Sequence, residues 1–204
     1  MRILILTFLL SLGAIALAQG PVSLTKENES VWRFEGPAEW ETKDKSLLIV
    51  KNTITSDPYR VPSARAIYLP KKYKNVEVRA TVKCNAYPEQ IRGDIIIIFG
   101  YQSPEQFYYA HFTGTVDDTH NGVFIVNKAD RKKLADTNQV PFLPDREWHK
   151  IKLVRNVKTG DIEMYVDDMG SPAVVVNDKT FLKGRVGLGS FNDPGEIKDL
   201  TINP

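Results

Sequence analysis

Val76, Val78, Ala80, Val82 and Cys84 are apolar at every second position, while Glu77, Arg79, Thr81 and Lys83 occupy the positions between them. Side chains alternate faces in this way only on an extended chain, so the stretch is read as a strand with one face in a core. The same period, or a short apolar block closed by turn residues, recurs along nearly the whole chain. It appears at 46–50 after the Lys43-Asp44-Lys45 turn, at 64–69 before Pro70, and at 107–112, 123–127 and 148–155. Thr159-Gly160 then turns the chain into a hairpin strand at 162–167, and 173–176, 185–191 and 197–202 complete the series. Residues 95–101 are apolar on both sides, as a central strand buried on both faces must be. Residues 128–135 come nearest to a helical period and are read as a turn and a short strand. About a dozen short strands at roughly 8 to 15 residue spacing predict an all-β antiparallel sandwich.

The other end of the chain is different. Met1-Arg2 is a short positive region, residues 3–12 are mostly apolar, and Ala16-Leu17-Ala18 gives the small-x-small pattern read by signal peptidase. Residues 1–18 are therefore expected to be a signal peptide, and the protein to be exported to the periplasm or the medium. A polar, turn-rich Gln19-Gly20-Pro21 follows, with no basic stop-transfer cluster. No later segment approaches the roughly 20 apolar residues of a membrane span, so none is expected in the mature chain. Residues 19–29 are polar enough for a loose N-terminal arm, and 30–204 read as one domain. Over the 204 residues, 27 Lys+Arg face 25 Asp+Glu, a balance that gives no basic surface for nucleic acid. Cys84 is the single cysteine and falls on the apolar face of its strand. No disulfide is available, so packing, or a structural metal, must hold the domain together.

The order of elements in the C-terminal half carries a resemblance. Trp148-His149-Lys150-Ile151-Lys152-Leu153-Val154-Arg155 precedes Met164-Tyr165-Val166-Asp167, then Gly184-Arg185-Val186-Gly187-Leu188-Gly189, then Ile197-Lys198-Asp199-Leu200-Thr201-Ile202. Upstream, Phe99-Gly100-Tyr101-Gln102, Phe107 to His111 and Asn121 to Asn127 fit the same pattern. The chain resembles the concanavalin A-like lectin/glucanase superfamily over 30–204. Within it, the chain is most similar to bacterial laminin-G-like and 3-keto-disaccharide hydrolase-type jelly rolls. The resemblance implies two curved antiparallel sheets, with the concave one forming a groove for an oligo- or polysaccharide. It requires no cofactor. By analogy it suggests a structural calcium, for which Glu35, Asp193 and Asp199 are the candidates. The Glu-x-Asp-x-x-Glu strand of the glucanase branch is absent, and Gln90-Ile91-Arg92 lacks the histidine of the alginate-lyase Gln-x-His strand. A shared fold does not transfer an activity.

The densest polar and aromatic cluster is Tyr101-Gln102 followed by Phe107 to His111. If Tyr108, Ala110 and Phe112 face the core, Tyr109 and His111 project together from the other face, about 7 Å apart. Such a pair suits sugar stacking and hydrogen bonding, or acid–base catalysis of glycan cleavage. Asp117-Asp118-Thr119-His120-Asn121-Gly122 reads as a turn, or as a rim that brings His120 and Asn121 to the groove. Arg65, preceded by Tyr59 and Arg60, and Arg131 are forks for a uronate or sulfate, or partners of cross-strand acids. His149, Trp32, Trp40 and Trp148 are expected to be structural. The expected groove thus comprises Arg65, Tyr101, Tyr109, His111, His120 and Asn121, with Arg131 beside it. Three functions stay open: a secreted lectin-like carbohydrate-binding domain, a polysaccharide lyase or glycoside hydrolase using Tyr109 and His111, and an extracellular adhesion or scaffold module.

Overall fold

The computed structural model describes residues 20–53, 58–85, 93–134 and 142–204. The expected signal peptide, Gln90-Ile91-Arg92 and Ala135 lie outside these residues. The first half of the described chain forms β1 (Trp32–Glu35), β2 (Glu39–Lys43), β3 (Ser46–Lys51), β4 (Ala64–Tyr68), β5 (Val76–Cys84), β6 (Asp94–Ser103) and β7 (Gln106–Thr113). The second half forms β8 (Gly122–Asn127), β9 (Lys132–Lys133), β10 (His149–Arg155), β11 (Asp161–Val166), β12 (Val174–Asn177), β13 (Arg185–Ser190) and β14 (Gly195–Asn203). All pair antiparallel. One sheet runs β1-β4-β13-β6-β7-β8-β9 and the other β12-β11-β10-β5-β14-β3-β2. Among the described residues there is no helix, and the expected all-β antiparallel sandwich is what the chain forms.

The alternation seen in the sequence decides which side chains lie between the sheets. Val76, Val78, Ala80, Val82 and Cys84 of β5 meet Ile95, Ile97 and Phe99 of β6 and Tyr108, Ala110 and Phe112 of β7 in one buried cluster. Cys84 sits there as a core residue, its Sγ–H directed at the Pro194 carbonyl at 3.6 Å. The first sheet is also buried on its other side. Ile67, Ile96, Ile98, Tyr101, Phe107, Tyr109, Phe124, Val126 and Phe191 form a second cluster there. This is why residues 95–101 show no alternation: both faces of β6 are packed.

Gly100 sets which side Tyr101 takes. The register between β6 and β7 slips after Phe99, and Gly100 sits in the slip at φ 58°. Strict alternation would send Tyr101 inward with Phe99. Against β13 the same stretch carries one residue more than its partner, and this turns Tyr101 outward beside Ile98, where its ring stacks on Phe107 at 5.8 Å.

β1 and β2 have no counterpart in the sequence reading. Both are edge strands, so each has one neighbour and few alternating positions. In β2 the pattern reduces to a buried Trp40 between exposed Glu39 and Glu41. The N-terminal arm expected to be loose lies against the second sheet. Val22 N–H donates to the Leu200 carbonyl at 2.8 Å, Leu24 is buried, and Trp32 Nε1–H donates to the Ser23 carbonyl at 2.8 Å.

Candidate functional site

Four neighbouring strands of the first sheet end together. Asp94 opens β6, His111 lies two residues before the end of β7, Ser190 closes β13, and β8 begins at Gly122 beside His111. Loops from the same end rise around them: Arg60 before β4, Thr119 and His120 before β8, Asp130 and Arg131 after β8, and Phe191 to Asp193 between β13 and β14. Together they line a cleft of about 400 Å³.

Asp94 is buried at its floor. Its carboxylate accepts from Ser190 Oγ at 2.6 Å, from Phe191 N–H at 2.8 Å and from His111 Nε2 at 3.1 Å. Burial alone would raise its pKa. The bonds from His111, Ser190 and Phe191, with the His111 charge, outweigh burial and hold it below the usual carboxylate value. Burial dominates at His111 and lowers its pKa, against the opposing pull of Asp94. At neutral pH the pair is therefore a carboxylate and an uncharged imidazole. Nε2–H donates to Asp94, which leaves the lone pair on Nδ1. That Nδ1 is shielded from bulk solvent and has no hydrogen-bond partner among the described residues. A buried acceptor left unmatched costs about 1–3 kcal/mol, so such an atom suggests a missing partner.

His120 is tied back to its own loop. Its Nδ1 lies 2.7 Å from Asp117 Oδ1 and 3.1 Å from Thr119 Oγ1, and its ring centre is 5.5 Å from that of His111. Burial would raise the Asp117 pKa, but hydrogen bonds from Thr119 and His120 hold it far below the usual range. Across the cleft, the Arg131 and Arg60 guanidiniums lie 4.3 Å and 5.8 Å from the centre of the Phe191 ring. Neither is ion-paired among the described residues. Asp130 Oδ1 accepts from the backbone N–H of Arg60 at 3.0 Å.

Of the expected site residues, His111, His120 and Arg131 come together on this cleft. Tyr109 shares the outward face with His111, as strand alternation requires, with ring centres 5.9 Å apart. It does not line the cleft: its ring lies flat on Phe124, with centres 5.0 Å apart and planes 4° apart. Burial pushes its hydroxyl pKa well up, against a downward pull from Arg131. Arg65 and Tyr101 also lie off the cleft lining. Arg65 Nε donates to Glu35 Oε2 at 3.2 Å and its Nη1 to the Pro62 carbonyl at 2.6 Å, while Tyr101 Oη–H bonds the Glu35 carboxylate at 2.8 Å. Asn121 is fully buried at φ 44°, its Oδ1 accepting from Thr113 N–H at 2.9 Å. Asp94, Arg60 and Phe191 were missed by the sequence reading. Asp94 had a signal: it is a carboxylate directly abutting a strand buried on both faces.

The three calcium candidates do not come together. Glu35 is engaged by Arg33, Arg65 and Tyr101 on the first sheet, Asp193 is buried in the cleft turn, and Asp199 is exposed on β14 of the second sheet. Among the described residues no group of three His, Cys, Asp or Glu is arranged to hold a metal.

The fold is shared with known structures. The carbohydrate-binding module CBM66 from Bacillus subtilis superposes with a TM-score of 0.67 at 11% identity, covering 85% of this chain and 95% of that one. The fold is a concanavalin A-like jelly roll. A candidate glycosyl hydrolase from Parabacteroides distasonis shares this jelly roll with a TM-score of 0.62 at 11% identity, covering 91% of this chain and 99% of that one. The winged bean acidic lectin, complexed with methyl-α-D-galactose, does so at 0.53 and 14% identity, covering 86% and 92%. No family model and no curated protein sequence matches the chain. No helix among the described residues is long and apolar enough to cross a membrane.

Proposed function

We propose that this jelly roll is an exported carbohydrate-binding domain, and that the saccharide sits in the cleft over Asp94 and His111. The observation that carries this reading is the unpartnered Nδ1 of His111, held as an acceptor by an ionised Asp94. Sugar hydroxyls are donors in need of such acceptors, and the guanidiniums on Phe191 supply the matching donors beside an apolar ring. The carbohydrate-binding module and the lectin of the same fold support the substrate class. Export rests on the leader pattern of residues 1–18.

A second reading has its own observation. A carboxylate that fixes the tautomer of an imidazole is the geometry of an activated general base. In this reading His111 acts as the base of a lyase or hydrolase. Tyr109 lies flat against Phe124 and off the cleft lining, so this reading rests on His111.

One experiment separates the two. The purified protein is incubated with neutral, uronic and sulfated polysaccharides. Retention is measured beside reducing ends and the absorbance of unsaturated uronates. Retention without product supports binding, and product formation abolished in His111→Gln supports catalysis. Glutamine keeps a donor for Asp94 but has no acceptor at the Nδ1 position, so loss of affinity by about tenfold or more in that variant reports the lost imidazole acceptor. Neither retention nor product on any glycan overturns both readings.

A further inference from the structure

The charge of the ligand can be read from which groups in the cleft already have partners. Asp94 is buried and takes three donors. Asp117 takes Thr119 and His120, Asp130 takes the backbone of Arg60, and Asp193 is only 1% exposed. His111 is uncharged for the reasons given above. What remains is two guanidiniums, Arg60 and Arg131, that converge on one aromatic ring with no ion pair among the described residues. A guanidinium held over a ring by cation–π attraction keeps N–H groups with which to donate to an anion. Both guanidiniums are half-buried on the wall of the cleft, and the carboxylates that share it are bound by neutral donors rather than by these arginines, so an anion held by both guanidiniums gains charge-assisted bonds.

We infer that the saccharide is acidic, carrying a carboxylate or a sulfate ester that Arg60 and Arg131 hold in charge-assisted hydrogen bonds. This rests on the carbohydrate reading of the cleft. A neighbouring hydroxyl on the same sugar then meets His111. The guanidinium fork matches the two oxygens of a carboxylate and two of the three free oxygens of a sulfate, so the geometry names the shared chemistry of both groups.

The test uses matched oligosaccharides that differ in one group: oligogalacturonate against its galactose counterpart, and a sulfated galactan oligosaccharide against its desulfated form. Titration calorimetry on the purified protein at low salt is expected to favour an acidic member by about tenfold or more, the worth of one charge-assisted contact. Which pair shows the preference distinguishes carboxylate from sulfate. The preference shrinks with added salt. Arg60→Gln and Arg131→Gln each reduce it while leaving residual affinity for the neutral member, and thermal melting confirms that both variants fold. Equal binding of neutral and acidic members overturns this inference and leaves the carbohydrate reading standing. A preference that survives in both variants overturns the assignment to these arginines. No binding of any member by the folded protein overturns the carbohydrate reading itself.

Discussion

His111 Nε2 lies 3.1 Å from Asp94 Oδ2 with both side chains buried, and this contact decides which imidazole nitrogen is the acceptor. Asp94→Asn tests it. Asparagine keeps one acceptor oxygen. With its NH₂ in the place of Oδ2 it meets the donors of Phe191 and His111, and the imidazole accepts from it only by moving its proton to Nδ1. With its NH₂ in the place of Oδ1 it donates to Ser190 Oγ and the tautomer stays. Either arrangement replaces charge-assisted bonds with neutral ones, at an expected cost of about 1–3 kcal/mol of stability in urea unfolding. Nitrogen-15 shifts of the His111 ring report which arrangement forms, and a proton on Nδ1 should lower affinity for the saccharide. Unchanged affinity with Nδ1 protonated would refute the acceptor role assigned to His111.

Two histidines should bend the pH–stability curve in opposite directions. The unfolded chain protonates His111 near 6.5, but burial delays protonation in the folded protein to lower pH. Its contribution is therefore present above 6.5 and lost as pH falls below it. At His149 burial also favours the neutral form, but hydrogen bonds to Asp167 and Asp145, at 2.8 and 2.9 Å, outweigh it and raise the pKa. Its contribution is present below 6.5 and lost as pH rises through the folded value. Asp94, held below the ordinary carboxylate value of 3.8, titrates under this window. Urea unfolding between pH 5 and 8 should show the acid-side loss reduced in His111→Gln and the alkaline-side loss reduced in His149→Gln. Each effect is bounded by about 1.4 kcal/mol per pH unit, the slope for one proton. An unchanged slope in either variant would contradict the assignment for that residue.

How much of this was legible in the sequence depends on range. Alternation is a local property, so β5 was read at its observed bounds and the outward placement of Tyr109 and His111 followed from Tyr108, Ala110 and Phe112 facing inward. Partners set by register are not local. Asp94 meets His111 because Ile96 pairs with His111 across β6 and β7, and nothing in either segment states that pairing. Tyr101 and Arg65 drew notice for their chemistry, and the structure spends both on Glu35, from a strand that was not foreseen. Arg60 enters the cleft from a loop, where no period exists to read, and Phe191, read as the last residue of a strand, lies just past the end of β13.

The Tyr101–Glu35 contact is itself testable. The tyrosine is 1% exposed, and burial followed by the neighbouring Glu35 charge pushes its hydroxyl pKa well up, so it stays a donor. Tyr101→Phe removes that donor from a carboxylate still held by Arg33 and Arg65. The expected cost is about 1–3 kcal/mol in urea unfolding, with saccharide affinity unchanged. A loss of affinity without a loss of stability would place Tyr101 in the binding site, as its chemistry first suggested.

Gly100 allows the outward turn of Tyr101, and its replacement should be costly for two independent reasons. At φ 58° an L side chain is strained by about 1–2 kcal/mol. A β-carbon there would also lie 3.0 Å from Tyr108 Cδ2, and that ring has little room to retreat, being stacked on Phe99 at 5.1 Å and edge-on to Phe181 at 5.1 Å. Gly100→Ala is therefore expected to lower stability by about 2–3 kcal/mol, the strain plus a modest packing penalty. Gly170→Ala is the comparison: φ there is not positive, and the nearest atom to a new β-carbon is the Asp168 Oδ1 of an exposed side chain at 3.3 Å. It should change stability by no more than about 0.5 kcal/mol. Equal melting temperatures for the two variants would mean that β6 can relax its bulge, and that the side of the sheet taken by Tyr101 is not fixed by Gly100.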